Sequence, residues 1–326
     1  MKNIKKIQGP VSLYEMKIPV MPGDKNPKHI YLFGDNHVRE TTCDKNVVSI
    51  ADFISDTIIQ NSSKILDIYV ESPYKSPYTS GDNYLFDVER IFNDCLLQKP
   101  SCSYKNTRFH FVDIRNGESQ SFKILNDAYW DFIDVINPYI RNPQSFENPG
   151  LDLFKIIHRY EKTWIWSDFF YSKKELNLEN PIQKEIRKSN ISEQIIAFYK
   201  DCIDPKIRNL SDLMDKLLLE TNSGPELENI DDWIYFLDVL FEVLACYVDI
   251  YTLLRIFRPF KVVPNRIRKE EPENIILYMG DAHIVKIVEF LKSIGGEIIA
   301  ETHSDDFTSS FQCIDIKDFE LPFFTN

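Results

Sequence analysis

The sequence lacks the features that mark several large classes of protein. Only ten of its 326 residues are glycine, and its six cysteines include no Cys-x-x-Cys pair and no dense framework. That cysteine usage predicts reduced thiols in a cytosol-like compartment. The formal net charge of −12 argues against a nucleic-acid backbone or an anionic membrane as the main partner.

The sequence pattern predicts neither a signal peptide nor a membrane span. Gln8, Gly9 and Pro10 stand where a signal peptide would need an apolar core. The long apolar stretch at residues 233–256 carries three carboxylates, each of which would cost about 3 kcal/mol at mid-bilayer. We therefore expect a cytoplasmic protein. Abundant Ile, Asn, Lys, Tyr and Phe are typical of an AT-rich genome, and a large DNA virus is one example. A virion is therefore the alternative location.

What the sequence does contain is enough apolar material for a large core, with 43% hydrophobic residues. Alternating and continuous apolar runs predict strands, and apolar residues at helical spacing predict helices. Strands are predicted at residues 11–20, 29–33, 65–70, 108–114, 274–279, 297–302 and 311–316. Helices are predicted at residues 47–59, 83–97, 121–140, 151–171, 181–202, 207–219, 230–258 and 282–294.

The order of these elements predicts the fold class. Strands and helices alternate at both ends of the chain, which is typical of an α/β protein with a mostly parallel central sheet flanked by helices. The middle of the chain is predicted to be helical throughout. We therefore predict one α/β core in two parts, residues 1–118 and 263–326, separated by an all-helical insertion at residues 119–262.

Ionisable residues follow four of the predicted strands at the point where each strand ends. Two strands end in related motifs, Gly34-Asp-Asn-His37 and Gly280-Asp-Ala-His283, and a third ends in Glu71. Asp113 and Arg115 follow the fourth. Ligands bind at the carboxyl ends of the strands in open parallel sheets, so these side chains are expected along one edge.

Two imidazoles and a carboxylate are a plausible ligand set for a divalent metal such as Zn, Mn or Fe. His37, Glu71 and His283 are the predicted ligands. Asp35 and Asp281 could ligate, orient a histidine, or act as general base. A single Gly-Asp-x-His is ordinary turn chemistry, and the hypothesis depends on the pair. The structural interpretation is favoured for the other histidines: His29, His110, His158 and His303.

These motifs resemble the TraB/Tiki family, which belongs to a superfamily with erythromycin-esterase-like and ChaN-like proteins. The resemblance covers the two α/β parts of the chain and implies Mn- or Co-dependent peptide hydrolysis at His37, Glu71 and His283. It also implies that Arg115 and Arg255 contact an anion or the transition state. Tiki-like proteases are membrane-tethered and extracytoplasmic, whereas neither a signal nor an anchor is predicted from this sequence.

The first hypothesis is therefore a metal-dependent hydrolase of peptide or ester bonds, with water on the metal as nucleophile. The second is a non-catalytic structural or partner-binding protein that keeps a vestigial site. A third, an iron oxygenase with two histidines and one carboxylate, ranks last because such sites usually occur on β-barrels. The substrate and the oligomeric state stay open at this point.

Overall fold

The computed structural model of the chain describes the larger part of each predicted α/β segment. The described residues are 5–37, 43, 47–60, 62–73, 83–115, 120–142, 152–153, 155–156, 181–221, 230–260, 271–304, 312–321 and 323–324. His158 lies outside them, and so does almost all of the predicted helix at 151–171. The nine described strands are β1 (Lys6–Gln8), β2 (Pro10–Ile18), β3 (Lys28–Asp35), β4 (Val47–Ser49), β5 (Leu66–Pro73), β6 (Thr107–Asp113), β7 (Asn274–Gly280), β8 (Glu297–His303) and β9 (Cys313–Asp315).

Helices occupy most of the remaining described chain. They are α1 (Ile50–Asp52), which continues as a π-helix (Phe53–Ile59), α2 (Tyr84–Leu96), α3 (Gln120–Arg141), α4 (Pro181–Ile186), α5 (Ser192–Thr221), α6 (Ile230–Ile256) and α7 (Asp281–Ser293). Among these helices, none is both long enough and apolar enough to cross a membrane.

A six-stranded sheet forms the centre of the fold, in the order β6-β5-β7-β3-β2-β8. Parallel pairing joins β6, β5, β7 and β3, while β2 runs antiparallel to both β3 and β8. Every residue of β5 and β7 is buried, as expected for central strands covered on both faces. The α/β prediction with a mostly parallel sheet is therefore confirmed.

A second sheet has three strands in the order β4-β1-β9. The sequence predicted a helix from residue 47, but Val47–Ser49 instead pairs in parallel with β1. Two consecutive valines explain the difference, because β-branched side chains favour an extended backbone over the first turn of a helix.

The longest described helix also departs from the prediction. Helices at 181–202 and 207–219 were predicted with a break near Pro205, yet α5 runs unbroken through that proline and the break lies at residues 187–191. The buried residues Ile195, Tyr199, Ile203 and Leu210 keep one helical face on both sides of Pro205. Burial of that face outweighs the cost of about 3 kcal/mol for an interior proline.

Two disulfides contradict the prediction of six reduced cysteines. Cys43 pairs with Cys313, and Cys95 pairs with Cys102. The first pair is 270 residues apart in sequence and is brought together by the position of β9, so no local spacing could reveal it. Cys202 and Cys246 form no disulfide, and their sulfur atoms are 3.8 Å apart.

The chain divides into two compact units. One comprises Met1–Asp113, Glu185–Ile195 and Tyr251–Asn326, and the other comprises Ile114–Lys184 and Ile196–Ile250. Both sheets belong to the first unit, together with two pieces of the predicted insertion. The elements described in the second unit are all helical.

A buried polar network covers part of one face of the large sheet. Asp67 accepts two hydrogen bonds from Arg108, at 2.6 and 2.7 Å, and one from His110 Nε2 at 2.8 Å. Arg255 donates from Nη2 to His110 Nδ1 at 3.0 Å. A guanidinium can only donate, so Nδ1 accepts and the hydrogen of His110 sits on Nε2.

This environment keeps His110 neutral in the folded protein. Burial, with the positive charges of Arg255 and Arg108, lowers the pKa of His110 to about 4 despite the hydrogen bond to Asp67. In the unfolded chain the pKa returns to about 6.5. The stability associated with neutral His110 is therefore fully present above pH 6.5 and is lost as the pH falls toward 4.

We expect a His110→Gln variant to lose less stability on acidification than the native chain, because Gln can accept from Arg255 and donate to Asp67 without titrating. The difference between pH 7.5 and pH 4 should be on the order of 3 kcal/mol in the free energy of unfolding. Urea unfolding across this range measures it, with His303→Gln on an exposed residue of β8 as control. Parallel curves for the native chain and His110→Gln would contradict the assignment.

Candidate functional site

The ends of three adjacent parallel strands bring the predicted site residues together. β7 lies between β3 and β5, and Asp35 of β3 pairs in register with Gly280 of β7. Glu71 follows Val70, which pairs with Tyr278 on the other side of β7. Because parallel strands end at the same edge of a sheet, the two Gly-Asp-x-His motifs and Glu71 meet there.

The carboxylate of Glu71 lies between the two histidines. Its Oε2 is 3.3 Å from His37 Nε2, and its Oε1 is 3.4 Å from His283 Nε2. The backbone N–H of Gly280 donates to Oε2 at 2.7 Å. Gly280 precedes the first residue of α7, so the positive end of that helix also stabilises the buried carboxylate.

The glycine of each motif leaves space for a side chain of the other motif. A Cβ on Gly280 would lie 2.9 Å from His37 Nε2, 3.4 Å from Glu71 Oε2 and 3.4 Å from His283 Cδ2. A Cβ on Gly34 would meet Asp281 and Ser12. Because the glycine of each motif has no side chain, a residue of the other motif can occupy the space beside it. The close neighbours of both glycines include side chains of the other motif.

Asp35 holds His37 from the side opposite Glu71. Its Oδ1 accepts the backbone N–H of His37 at 3.0 Å, and its Oδ2 faces His37 Nδ1 at 3.5 Å. His37 has φ of 56°, a left-handed conformation that is uncommon outside glycine, and the bond to its N–H supports this turn. Asp35 thus stands where a carboxylate orients an imidazole whose Nε2 is presented elsewhere.

Three residues that the sequence analysis did not single out complete the site. Tyr278 O–H donates to Asp35 Oδ2 at 3.0 Å, and Gln312 Nε2 donates to Asp35 Oδ1 at 3.0 Å. Ser12 O–H donates to Asp281 Oδ1. A signal for Tyr278 was present in the sequence, because a polar tip inside a continuous apolar strand needs a partner. Ser12 and Gln312 carry no such local signal.

The electrostatics of the site are dominated by buried carboxylates. Burial opposes a charge on His37, but hydrogen bonds and charge from Asp35 and Glu71 outweigh it and raise the pKa of His37 to about 10. His37 is therefore a cation between two carboxylates when nothing else is bound at neutral pH. The same negative field is one that a bound cation would satisfy.

The predicted arginines are not among the described contacts of this cluster. Arg255 is engaged with His110 and with Tyr251 O–H, and Tyr69 O–H donates to its backbone carbonyl. Arg115 belongs to the second compact unit, and its role in contacting an anion or the transition state stays a prediction. His29 contacts Glu15 at 2.7 Å, and His303 lies edge-on to the ring of Tyr14, in agreement with structural roles.

With this geometry in view, the chain was compared with known proteins. No protein-family model, curated protein or solved structure matches it. The resemblance to the TraB/Tiki family stays a prediction based on the motifs themselves. The site is accordingly interpreted from its own geometry.

The donor set suits a divalent metal. His37 Nε2 is 3.3 Å from one oxygen of Glu71, and His283 Nε2 is 3.4 Å from the other. Each distance is close to the separation of about 3.4 Å between two ligand atoms on a tetrahedral ion with bonds of about 2.1 Å. No group of three His, Cys, Asp or Glu side chains in the described ranges is arranged to hold a metal as it stands. His37 is the ligand with room to adjust, since its side chain is 38% exposed against 3% for Glu71 and 7% for His283.

The reciprocal glycines predict two different outcomes for the same substitution. Gly280→Ala meets an imidazole that can move outward, so we expect about 1 kcal/mol of destabilisation and displacement of His37 from Glu71. Gly34→Ala meets the Cα atom of Asp281 at 3.0 Å as well as its side chain, so α7 must shift and the loss should reach about 2–3 kcal/mol.

Urea unfolding gives the two stabilities, and the imidazole NMR signals of His37 report its displacement. Gly295→Ala is unsuitable as a control because Gly295 has φ of 90°. Ala300→Gly on the edge strand β8 provides a substitution between the same residue types, in the reverse direction, away from the site. A larger loss for Gly280→Ala than for Gly34→Ala would contradict the packing argument.

Proposed function

We propose that the protein is a metal-dependent hydrolase whose metal site consists of His37, Glu71 and His283. The observation that carries the proposal is the position of Glu71, within 3.3 and 3.4 Å of two imidazole nitrogens from motifs some 240 residues apart in sequence. Ordinary turn chemistry explains each motif alone but does not require them to share one carboxylate. The edge of a parallel sheet beside a helix N-terminus is also where this class of fold binds ligands.

Each residue has a role that follows from its contacts. His37 and His283 would present Nε2 to a divalent metal, and Glu71 would present its carboxylate from the buried side. Asp35 would fix the ring of His37 through Nδ1. Asp281 is partly exposed, directly follows Gly280 and has one oxygen fixed by Ser12, which suits a group that accepts a proton from water or substrate.

A divalent metal held here would supply Lewis acidity toward a carbonyl oxygen and lower the pKa of water. Mn or Co follows from the family resemblance, and Zn or Fe is compatible with the same donors. The substrate class, a peptide or an ester, also comes from that resemblance. The buried carboxylates make the floor of the site anionic, so we expect a neutral amide or ester group at the point of cleavage rather than a carboxylate.

A second candidate, a non-catalytic protein with a vestigial site, is favoured by one observation. Glu71 is almost completely buried and already has partners, among them Gly280 N–H and the two imidazoles. A network that satisfies its own carboxylate could serve only to fasten β5 to β7. The two candidates differ in their expected response to added metal: the hydrolase cleaves its substrate when the metal is bound, and the vestigial site does not.

We expect the native chain to hydrolyse members of a mixed peptide and ester panel only when Mn²⁺ or Co²⁺ is added, and to lose at least about 100-fold in rate in His37→Ala and in His283→Ala. Mass spectrometry of the panel detects cleavage of whichever member is a substrate. His303→Ala serves as the matched control, because His303 lies at the end of the edge strand β8 and should leave the rate unchanged.

Bound metal is measured in the same four proteins. Metal in the native chain without cleavage of any panel member would favour the vestigial site. Equal metal content in all four proteins, or cleavage that persists in both histidine variants, would overturn the proposal.

A further inference from the structure

Asp35, the residue that orients His37, depends on the far end of the chain. Gln312 lies 277 residues further along, is fully buried, and donates from Nε2 to Asp35 Oδ1 at 3.0 Å. The direction of this amide follows from chemistry, because only its NH₂ group can face a carboxylate that already accepts the N–H of His37. Its own Oε1 finds no partner among the described residues.

The position of Gln312 is fixed by three independent connections. Gly9 N–H donates to the backbone carbonyl of Gln312 at 2.9 Å. The next residue, Cys313, pairs with Gln8 in the ladder between β1 and β9. Cys313 also forms the disulfide with Cys43.

The disulfide closes a ring of chain and contacts that includes the first histidine of the site. Cys43 lies six residues after His37 in sequence, and Cys313 lies one residue after Gln312. The ring runs from Asp35 along the chain to Cys43, across the disulfide to Cys313 and Gln312, and back to Asp35 through the hydrogen bond. His37 is a member of this ring, whereas the other disulfide, between Cys95 and Cys102, is not part of it.

We propose that Gln312 is a positioning residue of the metal site, and that the Cys43–Cys313 disulfide keeps it against Asp35. Gln312 touches no reacting group and acts through the carboxylate that faces His37 Nδ1. Three donors, namely His37 N–H, Tyr278 O–H and Gln312 Nε2, fix the direction of the buried Asp35 carboxylate, and removing one of them loosens that orientation. The inference deepens the proposed function and rests on it for the identity of the ligand.

The inference also predicts that oxidation state regulates the site. A dithiol reductant transfers two electrons and two protons to the Cys43–Cys313 bond, which breaks to two thiols while the reductant becomes a cyclic disulfide. The covalent link between the segment that carries His37 and the segment that carries Gln312 is then lost, and the hydrogen bond from Gln312 to Asp35 is a described contact that remains. Reduction should therefore weaken metal binding without removing any ligand.

The test compares Co²⁺ titrations of the native chain, Gln312→Leu, and the double variant Cys43→Ser/Cys313→Ser. The matched control is Cys95→Ser/Cys102→Ser, which removes the other disulfide. We expect affinity for Co²⁺ to fall about tenfold or more in Gln312→Leu, the lower end of what outer-shell partners contribute, and severalfold in the Cys43/Cys313 variant. The control variant should match the native chain.

A second readout needs no metal. The imidazole ¹⁵N signals of His37 at fixed pH, assigned by their loss in His37→Ala, should move in Gln312→Leu and in the Cys43/Cys313 variant but not in the Cys95/Cys102 variant. Unchanged affinity and unchanged His37 signals in both test variants, with only lower stability, would reduce Gln312 to a structural role and overturn the inference.

The two readouts separate this inference from the proposed function. If the native chain binds no Co²⁺, the proposed metal site fails, and the His37 signals still decide whether Gln312 positions the imidazole. Should Gln312→Leu not fold, the disulfide variants decide alone, and identical His37 signals in the two double variants would count against the inference.

Discussion

The carboxylate of Glu71 is the point on which the edge of the sheet depends. It lies between imidazoles from the first and the last parts of the chain and accepts the N–H at the start of α7. A buried carboxylate without partners is costly, so β5, β7 and the turn after β3 must all be in place together. The two glycines make this arrangement sterically feasible, because each removes a Cβ where the other motif needs space.

The same sheet holds two histidines in opposite electrostatic settings. His37 stands between Asp35 and Glu71, which raise its pKa to about 10, whereas His110 stands between Asp67 and Arg255 and is kept neutral, with a pKa of about 4. Both rings have a carboxylate neighbour. The difference comes from the second partner, a carboxylate in one case and a guanidinium in the other. The charge of a histidine beside a carboxylate can therefore be inferred only when both of its neighbours are known.

Sequence reasoning located the strand ends well because each apolar run stops at an ionisable residue. It placed His37, Glu71 and His283 at one edge, and the structure does bring them together. It did not show what surrounds the two glycines, since spacing along the chain cannot show which residue fills the space beside a missing Cβ. Ser12 and Gln312 could not be anticipated, because their partners are 269 and 277 residues away and no local pattern encodes such contacts. The Cys43–Cys313 disulfide was missed for the same reason.

We propose that the two Gly-Asp-x-His motifs and Glu71 form one divalent metal site, and anomalous diffraction from crystals of the native chain soaked in Mn²⁺ or Co²⁺ tests this proposal. A single strong peak is expected within about 2.0–2.3 Å of His37 Nε2, His283 Nε2 and a Glu71 oxygen. A fully soaked crystal with its anomalous peaks elsewhere, and the three side chains still in direct contact with one another, would contradict it.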